Sequence, residues 1–214
     1  MKVLITGTSK GIGKAIAEKF LSCGHEVVGL DILPSAIEHA HYTHVVTDIT
    51  GELPEIQNIE ILINNAGVQD SGRDIDVNLK GSINVTEKYA FQDKIKSVLF
   101  IASSSARTGS EFPEYAASKG GLVAYMKNVA LRVAAFGATA NSLSPGGVKT
   151  AINDRVMNNP ELWQQIMNET LLPKWAEAEE IAEWAYFITV INQSMTAQDL
   201  LIDNGEEAKA NFVW

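Results

Sequence analysis

Only one cysteine, Cys23, stands in the 214 residues. A single thiol closes no internal disulfide, so the fold does not depend on an oxidising compartment. Within its helical stretch, Cys23 reads as a small buried residue. Long apolar runs are missing as well. No segment nears the length a bilayer-spanning helix needs, and the apolar start breaks at once into a glycine-rich turn, so neither a membrane span nor a signal peptide is expected. Positive charge is sparse and scattered: 17 Lys and Arg face 26 Asp and Glu, a formal net charge of −9, and no basic block appears. That pattern speaks against a nucleic-acid partner. Metal-ligand spacing is lacking too. His25, His39, His41 and His44 read as surface or internally satisfied side chains, and no metal site is expected. Together these absences leave a cytoplasmic protein as the expectation.

What is present is an apolar fraction of 46%, enough for a sizeable core. The length suits one domain over 1–214. Short β-branched runs alternate with helically spaced stretches. Strands are expected at 3–6, 26–30, 44–47, 59–64, 97–102, 138–143 and 199–202. Helices are expected at 11–22, where Ile12, Ile16 and Phe20 mark one face, and at 75–91, 115–136, 161–168 and 177–191. The stretch 32–43 is too short and irregular for a helix. Strands apolar on both faces belong inside a parallel sheet covered by helices. The expected class is therefore α/β: a three-layer, doubly wound Rossmann fold with a mostly parallel sheet of about seven strands.

Thr6-Gly7-Thr8-Ser9-Lys10-Gly11-Ile12-Gly13 joins the first strand to the first helix. Glycines let a backbone turn tightly and approach a pyrophosphate with no Cβ in the way. The helix N-terminus then offers free amides and the positive dipole end. Gly7, Ser9, Lys10, Gly11, Ile12 and Gly13 are thus candidate dinucleotide-binding positions. Their place between strand and helix gives the motif its weight. Asp31 ends the second strand. A carboxylate there accepts from adenosine ribose hydroxyls and repels a 2′-phosphate, which favours NAD. Lys10 pulls the other way, so NADP stays open.

The glycine spacing is Gly-x-x-x-Gly-x-Gly. Further elements follow in order: Asn64-Asn65-Ala66-Gly67, Asn78-Leu79-Lys80-Gly81, Tyr115-Ala116-Ala117-Ser118-Lys119, Asn141 to Pro145-Gly146 with Val148 and Thr150, and Asp203-Asn204-Gly205. This ordered set spans essentially the whole chain and resembles the short-chain dehydrogenase/reductase family, classical type. The chain departs from that pattern in being shorter between Asp31 and Asn64 and after Gly67, and in carrying Asn204 where the family has glycine.

The resemblance implies hydride transfer between a nicotinamide and a secondary alcohol or ketone, such as a 3-oxoacyl, steroid or sugar carbonyl. It implies that Tyr115 exchanges a proton with the substrate oxygen, that Lys119 also binds the nicotinamide ribose, and that Asn78 supports a proton-relay water. Four apart on one helix, Tyr115 and Lys119 share a face. A free tyrosine titrates at about 10. A nearby ammonium favours the phenolate, which is the tuning a general acid–base needs. A serine should polarise the substrate carbonyl. Alignment of the fifth strand's end places it at Ser103, with Ser104 as the alternative. The resemblance further assigns Asp48 to the adenine amino group and adds Ile49, Pro145 and Gly146 to the cofactor contacts. It brings Asn65, Ala66 and Gly67 to the adenosine ribose, and Val148 and Thr150 to the nicotinamide carboxamide.

The segment 151–175, with Met157, Trp163, Met167 and Trp175, is expected to form a lid over the substrate pocket or a subunit contact. A homodimer or homotetramer is implied, built on the long helices after the fourth and fifth strands and on the apolar end Asn211-Phe212-Val213-Trp214. The alternative is a non-catalytic dinucleotide-binding sensor or scaffold on the same fold. A third reading keeps Tyr115 and Lys119 in an epimerase or dehydratase.

Overall fold

The computed structural model describes residues 1–110 and 112–209. Its strands are β1 (Lys2–Thr6), β2 (Glu26–Asp31), β3 (Tyr42–Val46), β4 (Ile61–Asn64), β5 (Ser97–Ile101), β6 (Thr139–Pro145) and β7 (Asp199–Ile202). Its α-helices are α1 (Gly11–Ser22), α2 (Ser82–Tyr89), α3 (Ser105–Thr108), α4 (Pro113–Val133), α5 (Asp154–Met157), α6 (Pro160–Met167) and α7 (Ala178–Tyr186). The strands form one parallel sheet in the order β3-β2-β1-β4-β5-β6-β7. The expected doubly wound α/β architecture is what forms.

Successive residues of a strand point to opposite faces. Val3, Ile5, Ile63 and Leu99 therefore meet Ile16 and Phe20 of α1 and Ile181 and Ala185 of α7 on one side. Leu4, Leu62, Val98 and Phe100 meet Val85 of α2 and Met126 and Val129 of α4 on the other. β1 lies between β2 and β4. The chain thus winds away from β1 in one direction and returns on its other side. Such a reversal opens a crevice at the carboxyl ends of the strands, here β1 and β4.

Three local expectations change. The helix expected over 75–91 begins as a π-helical stretch, Ile75–Gly81, before α2 continues it. Cys23 is exposed rather than buried. It sits just past the end of α1, off the face that carries Ile16 and Phe20. α3 and α5, two short helices, form where no helix was expected. The β2–β3 connection carries no helix, as its irregular sequence suggested. The apolar end 211–214 lies outside the described residues.

Candidate active site

The crevice is built on close backbone contacts. Gly7 adopts φ +76 and donates its N–H to Leu30 O at 2.7 Å. A Cβ there would stand 2.8 Å from Asn65 Nδ2 and 2.9 Å from Ala66 Cα. A Cβ on Gly13 would stand 2.0 Å from Gly7 O, so only glycine lets α1 begin this close to the turn. Asn65 fastens the two strand ends together. Its Nδ2 donates to Thr6 O at 2.9 Å and Gly7 O at 3.1 Å, and the N–H groups of Asn65 and Ala66 both donate to Thr6 Oγ1 at 3.0 Å. α1 starts after Lys10 with no side-chain cap and no acid in its first turn. The first-turn amides, including those of Gly11, Ile12 and Gly13, are therefore open to an anion.

Asp31 stands beside this turn. Its Oδ2 accepts from Ser9 N–H and its Oδ1 from Leu33 N–H, both at 2.9 Å. Asp48 is half-exposed and held below the usual carboxylate range, chiefly by bonds from the Thr50 N–H and hydroxyl, with help from Arg73. Ile49 is buried and packs where a Cβ on Gly81 would stand, 2.8 Å away. From the second half of the chain, Thr150 returns to the glycine turn: its Cγ2 lies 3.5 Å from the place of a Cβ on Gly11. Pro145 O accepts from Ser104 N–H at 2.8 Å, and Gly146 donates to Ile202 O at 2.9 Å. Val148 is buried and bridges to Ala176.

Lys119 is the centre of the second half of the site. Its side chain is buried, and Nζ donates to Ile101 O at 2.9 Å. Nζ also lies 5.6 Å from the Tyr115 ring centroid. Burial pushes the ammonium down to about 8, while the Asp74 carboxylate pulls the other way. Asn78 is fully buried in the π-helical stretch. Its Oδ1 accepts from Val68 N–H at 2.8 Å, and its Nδ2 donates to Val68 O at 2.9 Å and Ser118 Oγ at 3.0 Å. Ser118 in turn donates to Tyr115 O at 2.7 Å. Gly67 joins the two: a Cβ on it would stand 3.1 Å from Asn78 Oδ1 and 3.5 Å from Lys119 Nζ. Ser103 is buried just beyond β5, where its Oγ donates to Ser105 Oγ and accepts from Ser105 N–H, each at 3.2 Å. Ser104 instead lines an open cavity of about 410 Å³ with Ser105, Thr108, Asn168 and Glu206. Another cavity, of about 890 Å³, opens among Met1, Lys2, Glu26 and Glu60 at the opposite ends of the strands and has no part in this constellation.

Segment 151–175 folds as a 3₁₀ turn, α5 and α6, with Trp163 against Trp175 edge-on at 5.1 Å. Trp175 is buried on Gly147, where any Cβ would collide with its Nε1 at 2.0 Å. Sequence reasoning missed Asp74 and Ser118. Asp74 is buried and accepts from the Asp70 and Ser71 N–H groups at 2.9 Å, closing the short loop after Gly67. Its only sequence sign is its place just before the helical spacing begins. Ser118 is hidden inside the Tyr-x-x-x-Lys element, whose intervening residues the motif leaves unspecified.

The comparisons with known proteins agree with this geometry. A family model described as enoyl-(acyl carrier protein) reductase matches residues 38–207. The 3-oxoacyl-[acyl-carrier-protein] reductase FabG of Buchnera aphidicola is 29% identical, with 94% of each chain covered. The short chain dehydrogenase adrF of Penicillium rubens is 30% identical over 76% of this chain and 74% of its own. Among solved structures, a 4-hydroxyisoleucine dehydrogenase mutant complexed with NADH and succinate superposes with a TM-score of 0.87. It is 26% identical and covers 99% of this chain and 100% of its own.

Proposed function

The chain belongs to the short-chain dehydrogenase/reductase family and is an NAD(P)-dependent oxidoreductase; from that premise we propose that it moves a hydride between NAD and a secondary alcohol or ketone, with Tyr115 as acid–base. The observation that carries the reading is the buried Lys119 ammonium, held by Ile101 O and set 5.6 Å from the Tyr115 ring.

The crevice fits a dinucleotide. Its Cβ-free cradle at Gly7 and Gly13 and the uncapped start of α1 suit a pyrophosphate, with Ser9, Lys10, Gly11 and Ile12 alongside. Asp31 takes the adenosine ribose hydroxyls, which favours NAD, and Asn65, Ala66 and Gly67 let the backbone approach that ribose. Asp48 and Ile49 flank the adenine. Pro145, Gly146, Val148 and Thr150 border the nicotinamide, and Lys119 holds its ribose. When bound, the nicotinamide gives or takes the hydride. Ser103 donates a hydrogen bond to the substrate oxygen as charge develops there. Tyr115 gives that oxygen a proton in reduction and removes it in oxidation. The Lys119 ammonium stabilises the phenolate left behind. Asn78 fixes the strand-end loop at Val68 and supports the proton path.

The relatives' printed activities, on a 3-oxoacyl group and on 4-hydroxyisoleucine, support a carbonyl or hydroxyl as the reacting group. Solved neighbours hold NADH or NADP, so the NAD preference rests on Asp31 alone. Segment 151–175 acts as the pocket lid. A cytoplasmic homodimer or homotetramer completes the proposal, supported by exposed apolar side chains: Leu131 on α4, and Trp184, Phe187 and Ile191 on α7 and the turn that extends it.

The test is Tyr115→Phe. Removing the proton donor is expected to lower turnover by about 10²–10⁴-fold. NADH binding, followed by its fluorescence, should persist. Turnover at the wild-type rate in this variant defeats the mechanism.

A further inference from the structure

Edge strands commonly turn their polar side chains to water. β3 does not. Tyr42 sends its hydroxyl across β2 to the glycine turn, where Oη lies 2.8 Å from Thr8 Oγ1. The same Oη lies 2.8 Å from His44 Nδ1, and His44 Nε2 lies 2.9 Å from Leu33 O. Thr8 is fully buried. Gly29 of β2 makes the crossing possible: a Cβ there would stand 2.2 Å from Tyr42 Oη and 2.3 Å from Thr8 Oγ1. A carbonyl only accepts, so His44 Nε2 donates to Leu33 O; in that tautomer Nδ1 accepts from the Tyr42 hydroxyl, which accepts from Thr8 Oγ1. Burial keeps the Tyr42 phenol above its ordinary value and hence protonated, as this direction requires. One hydrogen-bond chain thus runs from the turn to Leu33. Leu33 closes the ring at Asp31, since its N–H binds Oδ1 while its carbonyl accepts from Ser9 Oγ at 3.3 Å.

We propose that Tyr42 and His44 are positioning residues that hold the 32–35 loop and the glycine turn around Asp31, and so maintain the preference for NADH over NADPH. The proposal rests on the dinucleotide reading of the crevice. Asp31 discriminates only while its carboxylate faces the ribose at fixed distance, and both of its oxygens are set by backbone that this chain ties down. The β2–β3 connection has no helix to do that work. Freed from His44, Leu33 no longer anchors Asp31, and the carboxylate can swing away from an incoming 2′-phosphate.

The experiment is titration of the whole protein with NADH and with NADPH, read by nicotinamide fluorescence, for wild type, Tyr42→Phe, His44→Phe, Thr8→Val and Thr8→Ser. Losing one hydrogen bond of the chain should weaken NADH binding by about 5–10-fold. NADPH binding should change less than about two-fold, so the preference narrows while kcat at saturating NADH holds. Thr8→Ser keeps the hydroxyl and should behave as wild type. If Tyr42→Phe does not fold, the contrast between Thr8→Val and Thr8→Ser reads the same chain. Unchanged NADH affinity in folded variants overturns the proposal, and so do equal losses for both dinucleotides, which would mark a merely structural role. Wild-type protein that binds neither dinucleotide overturns the crevice reading, and the proposal with it.

Discussion

Lys119 shows what a buried charge costs its own fold. Its ammonium is buried and pushed from 10.5 down to about 8. Between those values the unfolded chain binds more protons than the folded one, so unfolding free energy rises with pH across that window. Below about 8 the penalty is fully present, on the order of 3 kcal/mol. Lys119→Met removes the charge and keeps the bulk, at the loss of one hydrogen bond to Ile101 O worth about 1 kcal/mol. The variant should be inactive yet more stable in urea at pH 7, and its advantage should shrink as pH climbs from 8 towards 10. An equal advantage at pH 7 and pH 10 would show that charge burial is not the source. Lys119 and Tyr115 were legible in the sequence because four-residue spacing on a helix fixes a shared face. His44 was not. Its ring bonds Tyr42 of the same strand and Leu33 of the preceding loop, and no local pattern announces that Gly29 leaves a gap through which Tyr42 reaches Thr8 in the glycine turn.

At the scale of elements, the strands were the most readable, because runs apolar on both faces admit few alternatives to a covered parallel strand. The helix over 75–91 was readable only in outline. A 3.6-residue pattern cannot register one extra residue in a turn, and the π-helical stretch Ile75–Gly81 carries Asn78 into a buried position bonded to Val68 and Ser118. Widened turns of this kind recur at functional sites. Asn78→Ala leaves the Val68 N–H and C=O and the Ser118 hydroxyl without this partner. Unmet buried groups cost about 1–3 kcal/mol each, so a loss of about 2–4 kcal/mol in urea unfolding is expected. Activity should fall further than the folded fraction does, because Ser118 also holds the Tyr115 carbonyl. Activity that tracks the folded fraction alone would reduce Asn78 to a structural prop.

At the scale of the whole molecule, the sheet is expected to make the described residues unfold as one cooperative body. The two apolar clusters lie on opposite faces of the same strands, so neither persists without the sheet. The crevice also draws on both halves of the chain, since Thr150 meets the turn at Gly11. The sequence showed both halves of the motif set but not their meeting, which depends on the strand order reversing at β1. A ligand spanning that junction stabilises every part that unfolds with it. NADH at a hundred times its dissociation constant should add about 2.7 kcal/mol. For a chain of this size that raises the melting temperature by roughly 5–10 °C. Calorimetry should therefore show one transition displaced as a unit. Two transitions, with only one moved by NADH, would split residues 1–214 into separate folding units and confine the dinucleotide site to one of them.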